Sequence, residues 1–270
     1  MMKTIGQSIP KFGVKGMNED AIRCGNGWVA VSDGAGGGGV YADRWSRYLV
    51  NHLPADPIAT AEELDAWIDG IWETFYQMYE EKARRQGGLL LDKFYQEGAF
   101  ATLTAVWRKS PAACEWMSYG DSVAFCYNLR NGSLQHSFTS LADFQQPPYL
   151  INCKDPLSLE GFRHGTFRTT PDSVVFVASD ALAQYILQQY AVCNREFYSK
   201  EIQKVLHAHN KASNHLQQLL TQPVGNFGKQ VICPLQRQAI SARRFKQYVY
   251  RLYQRGCLSL DDYSIAFLSN

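Results

Sequence analysis

The stretch VAVSDGAGGGG, residues 29–39, sets the reading of the whole chain. An alternating apolar run predicts a buried strand over 28–32, stops at one carboxylate, Asp33, and gives way to glycine. Beyond the glycines, Val40, Trp45, Leu49 and Leu53 recur near helical spacing, so 39–53 is expected as a helix. Two readings of the loop are open. Asp beside Gly is common in tight turns. Alternatively, the backbone has lost its side chains so that a charged group can sit against Asp33.

Further along, Leu64, Trp67, Ile68, Ile71, Phe75, Met78 and Tyr79 form one stripe and predict a single long amphipathic helix over 61–86. The runs 99–107, 114–119 and 123–128 read as strands of an antiparallel meander, with Gly120-Asp121-Ser122 as one of its turns. Four prolines in 139–172 suggest a loop-rich excursion near the site. A strand over 173–179 runs directly into a helix; 196–220 and 235–255 look helical, and 263–268 is a closing strand. The expected class is α+β, antiparallel sheets covered by helices in one layered domain spanning 1–270.

Composition narrows the function. With 270 residues and 46% hydrophobic content the chain can bury a sizeable core. A net charge of +2 gives no field that recruits nucleic acid or an anionic membrane. The N-terminus lacks the apolar core of a secretory signal and no stretch has the length of a membrane span, so a cytoplasmic location is expected. Seven scattered cysteines, without a CxxC pair, predict reduced thiols. His207 and His209 lack a carboxylate partner, and no GK[ST] follows the glycines, which excludes a P-loop. The basic stretch 243–255 carries Phe245, Val249 and Leu252 as a buried stripe, with its charges on a solvated face.

Asp33 has company. Asp121, Asp180 and the pair Asp261–Asp262 also stand at ends of strand-like runs, and Glu19–Asp20 lie in an early KGMNED stretch. Hard divalent cations prefer such oxygen ligands on rigid supports. Each position also has a plain alternative: a turn acid for Asp33 and Asp121, a helix cap for Ser179 or Asp180, a solvated loop for Asp261–Asp262.

In order, KGMNED (15–20), VAVSDGAGG (29–37), YGDS (119–122), VASD (177–180) and LDDYSI (260–265) resemble the successive motifs of the metal-dependent serine/threonine protein phosphatases, the protein phosphatase 2C or PPM family, in its divergent bacterial form. The resemblance implies a four-layer αββα sandwich and a binuclear Mn²⁺ or Mg²⁺ centre. Asp33 would bridge both metals, the Gly34 carbonyl would ligate one, and Asp180 and Asp261 would complete the other. Asp121, with Asp180, would offer a weaker third position, while Glu19 and Asp20 would hold metal-bound waters. Lys15 stands where the family usually has an arginine that grips the substrate phosphate; lysine is a point charge rather than a fork. Two cations about 3.5–4 Å apart activate water for in-line attack, so no protein nucleophile is needed, consistent with the absence of a CxxxxxR loop. The implied activity is hydrolysis of phosphoserine or phosphothreonine in proteins, opposing a serine/threonine kinase. The rival is a phosphoprotein-binding module with weak or no turnover.

Overall fold

The computed structural model describes residues 5–13, 16–37 and 39–268. Strands β1 (Ile5–Ile9), β2 (Ala21–Cys24) and β3 (Trp28–Ser32) lead into α1 (Ala42–His52), α2 (Ala61–Asp69), α3 (Trp72–Gln86) and α4 (Gly88–Glu97). Next come β4 (Phe100–Ala101), β5 (Leu103–Ser110), β6 (Ala113–Tyr119), β7 (Val123–Asn128), β8 (Leu134–His136), β9 (Ile151–Asn152), β10 (Phe162–Arg168) and β11 (Ser173–Ala178). Helices α5 (Asp180–Cys193), α6 (Ser199–His207), α7 (Lys211–Thr221), α8 (Cys233–Gln238) and α9 (Ala242–Gln254) precede β12 (Tyr263–Leu268).

One antiparallel sheet runs β1-β12-β11-β7-β8 and the other β10-β6-β5-β3-β2, with β4 and β9 as a separate pair. Period-two alternation explains the layering. Val29 and Val31 of β3 point between the sheets, where they meet Val106, Ala124, Val175, Val177 and Ala266. Trp28 and Ala30 point the other way, into a core with Trp45, Leu49, Leu64 and Phe75 from the first group of helices. Phe125, Phe176 and Phe267 bury the outer face of the β1-β12-β11-β7-β8 sheet under α5 to α9, together with Leu182, Leu216 and Phe245. Both faces of each central strand are thus covered, which is why β3, β11 and β12 are buried at every position. The expected α+β sandwich, helices outside and two antiparallel sheets inside, is what the chain forms.

Local readings fare differently. The closing strand 263–268 and the strand-to-helix passage at 178–180 stand as expected. The helix expected over 39–53 begins only at Ala42, because Tyr41 at its N-cap is held at φ 61°, in the left-handed region. The helix expected over 61–86 breaks at Gly70–Ile71 into α2 and α3, although Leu64, Ile68 and Phe75 of the stripe stay buried. The meander is wrong in one respect: β6 pairs with β5 and β10, whereas β7 pairs with β11 and β8 in the opposite sheet. Gly120-Asp121-Ser122 is therefore a crossing between sheets, made at Gly120 with φ 103°. Of the loop-rich stretch 139–172, residues 162–168 form the edge strand β10. Among the described residues no helix is long and apolar enough to cross a membrane.

Candidate active site

Strand register decides where the acids meet. Val123 lies opposite Ala178, and Ala178 opposite Ile265, so the start of β7, the end of β11 and the start of β12 share one end of their sheet. In the other sheet Val31 faces Thr104 and Leu103 faces Tyr119, bringing the ends of β3 and β6 together. Ala21, just after Asp20, pairs with Ser32, just before Asp33. Asp33, Asp121, Asp180, Asp261 and the Glu19–Asp20 pair thereby converge on one end of the sandwich. Asp121, Asp180 and Asp261 line one cavity there.

Buried hydroxyls brace the floor. Thr102 Oγ1 accepts the Asp33 N–H at 3.1 Å and lies 2.9 Å from Ser122 Oγ, tying the end of β3 to the Asp121 crossing. Ser32 Oγ donates to the Thr102 carbonyl at 2.5 Å. The side chain of Ser179, the N-cap position of α5, makes no cap bond to that helix and instead accepts the Ser264 N–H at 3.0 Å. Asp180 is the first helical residue and accepts the adjacent Ala181 N–H at 2.5 Å. It is therefore not the N-cap.

The clustered carboxylates act on one another electrostatically. Burial, reinforced by Asp20, Asp180, Asp121 and Asp261, holds the Asp33 carboxyl well above the usual aspartate range. The same is true of Asp180, through burial and then Asp121, Asp261 and Asp20. Burial pushes Asp121 up to about 6 and Asp20 up to about 7, while Asp261 and Glu19 are also raised, by burial first. Asp20 is 2% exposed and neither carboxylate oxygen has a hydrogen bond of ordinary geometry among the described residues; the neighbouring Ser264 and Ser179 hydroxyls lower its pKa, but by less than burial raises it. A buried acceptor without a donor fits a cation or its shell. Hard oxygen donors from several strand ends fit a divalent ion. Among the described residues, as their side chains stand, no group of three His, Cys, Asp or Glu side chains is close enough together to hold a metal ion.

The glycines answer to the protein itself. A Cβ on Gly34 would lie 2.7 Å from the Ala42 carbonyl oxygen and 2.8 Å from that of Glu19; one on Gly39 would lie 2.7 Å from the Gly98 carbonyl oxygen. At Gly36 the Glu19 carboxylate occupies that space, whereas Gly37 is open. The bare loop thus packs on α1 and covers Glu19, and Gly34 donates its N–H to the Glu19 carbonyl at 3.2 Å. Gly34→Ala should destabilise by about 1–3 kcal/mol, since backbone must move. Gly37→Ala should stay within about 0.5 kcal/mol, as at an unconstrained surface position. Urea unfolding of the two variants checks the contrast.

Lys15 lies outside the described residues. Asp262, which sequence reading grouped with Asp261 without a separate role, is 3% exposed and accepts the N–H of Lys11 at 2.8 Å and of Glu19 at 2.7 Å, one on each oxygen. It clamps both flanks of the segment that carries Lys15, and Lys11 in turn reaches Glu19 at 3.5 Å. Alternation along the strand, which turns neighbours to opposite sides, was the available signal. Asp262→Asn keeps shape but offers one acceptor for two donors, and should cost about 1–3 kcal/mol in a urea melt. Lys211 and His215 were also missed, and they share the cavity with the acids. Nothing in local sequence marks them.

Burial pushes the Cys114 and Cys153 thiols up to about 11, the opposite of an activated nucleophile.

The chain matches no family model and no curated protein sequence. Solved structures do match along nearly the whole length. The catalytic domain of the serine/threonine phosphatase PstP in complex with two manganese ions has a TM-score of 0.53 at 14% identity, over 98% of this chain and 96% of that one. Stp1 of Staphylococcus aureus, a serine/threonine phosphatase, has 0.54 at 13%, over 100% and 95%. PppA, a regulatory component of the T6SS in Pseudomonas aeruginosa, has 0.52 at 16%, over 98% and 96%. The likeness shows that this chain has their fold.

Proposed function

We propose that this chain, sharing its fold with bacterial serine/threonine phosphatases, hydrolyses phosphoserine and phosphothreonine in cytoplasmic proteins phosphorylated by a serine/threonine kinase. The observation that carries the reading is the convergence of Asp33, Asp121, Asp180 and Asp261, from four separated segments, on one end of the sandwich. Asp33, Asp180 and Asp261, with the Gly34 carbonyl, would hold Mn²⁺ or Mg²⁺ as a pair, and Asp121 would contribute to a further position. Bound divalent cations would supply an acidified water and neutralise charge on the phosphoryl oxygens.

The chain's own part is placement. Thr102 and Ser122 fix Asp33 relative to Asp121, so these two carboxylates keep their separation as substrate enters. Glu19 and Asp20 flank the Asp33 end of the cleft as proton acceptors, Asp20 buried beside the Ser179 and Ser264 hydroxyls. Lys15 would meet the substrate phosphate. In the reaction a water oxygen forms the new P–O bond, and the serine or threonine oxygen leaves and takes up a proton.

Purified protein should hydrolyse a phosphothreonine peptide with manganese or magnesium and stop when chelator is in excess. Full turnover in chelator defeats the metal-dependent reading. Silence with every divalent ion, combined with phosphopeptide binding, would favour a binding module instead.

A further inference from the structure

Helices α6 and α7 form a hairpin whose turn lies at the acidic cleft. Asn210 fixes the start of α7 through a reciprocal cap: its side chain accepts the Ser213 N–H at 3.1 Å, and Ser213 Oγ accepts the Asn210 N–H at 3.2 Å. Ser213 Oγ also donates to the Val205 carbonyl at 2.6 Å, anchoring the turn to α6. Lys211 and His215, four residues apart, therefore share one face of a pinned helix. That face lines the cavity of about 420 Å³ that also holds Asp121, Asp180 and Asp261.

Lys211 is the one lysine or arginine among the described lining residues. It lines the cavity beside Asp261, yet it forms no ion pair with any described carboxylate. Under the function proposed above, on which this step rests, divalent cations offset the carboxylates inside the cleft. The Lys211 ammonium, without an ion-pair partner among the described residues, then lines the same cavity as a cation suited to an anionic ligand.

We propose that Lys211 is a substrate-binding residue that grips the phosphoryl oxygens of a phosphate monoester, with His215 beside it on the same face. The grip comes from a helix far in sequence from the segment around Lys15. A flexible ammonium stem suits this task, because it can follow the phosphoryl group without fixing its orientation.

The test uses inorganic phosphate as ligand of the manganese-saturated protein, measured by calorimetry, with manganese affinity measured separately. Lys211→Met should weaken phosphate binding about tenfold, the loss of one charge-assisted hydrogen bond. Lys211→Arg should keep most of the affinity, since charge and donors remain. Manganese affinity should hold or rise in Lys211→Met, because a repelling cation beside Asp261 has gone. Phosphate affinity unchanged in Lys211→Met, with peptide turnover intact, overturns the inference and leaves the phosphatase reading standing. A joint fall of both affinities also overturns it, as that is the mark of a disrupted helix. Phosphate binding that depends on Lys211 in a protein without turnover supports the inference while removing the phosphatase reading.

Discussion

Asp33→Asn should lower turnover of a phosphothreonine peptide by about a thousandfold with manganese present, the equivalent of several kcal/mol of charge stabilisation in the transition state. The fold should survive, because the tie to Thr102 runs through the Asp33 backbone N–H and not its carboxylate. Metal-free protein should even melt at the same or a higher temperature, since Asp33 is the carboxyl on which burial and four other aspartates bear together. Paired kinetic and thermal measurements at one pH decide the matter. A loss of less than tenfold removes Asp33 from the reacting centre, and a large drop in metal-free melting temperature assigns it a structural role instead.

Asp180→Asn should uncouple metal binding from stability. An asparagine oxygen can still accept the Ala181 N–H, so the start of α5 is preserved. Wild type should gain about 5–10 °C in melting temperature at manganese near a hundredfold above its Kd. The variant should lose most of that gain. Without metal the sign reverses. A carboxyl whose folded pKa is raised binds protons more tightly folded than unfolded, so its contribution is complete below the unfolded pKa and is lost as pH rises through the folded one. The variant should therefore match wild type near pH 4, at the ordinary aspartate value, and exceed it at neutral pH. An unchanged manganese shift with unchanged turnover would return Asp180 to an ordinary helix residue.

Local pattern alone carried much of this molecule. The strand-glycine-helix passage around Asp33, the strand-to-helix step at Asp180 and the closing strand after Asp261 were legible because period-two and period-3.6 burial are written in neighbouring residues. The acids at strand ends were legible for the same reason. The sheet to which each strand belongs was not. Residues 114–119 and 123–128 look like adjacent arms of a hairpin, yet they part at Gly120 into opposite sheets, because partners are chosen by non-local burial on both faces.

The amino-acid order by itself determined the set of acids, their chain order and the α+β class, since these follow from composition and short-range periodicity. Only the tertiary structure decided that the glycines make room for Ala42, Glu19 and Gly98 of the protein itself. It also decided that Asp262 holds two backbone donors, and that Lys211 and His215 reach the cleft from a distant helix. Such contacts depend on backbone register and on packing between segments remote in sequence, and hydrophobic spacing within one segment carries no information about either.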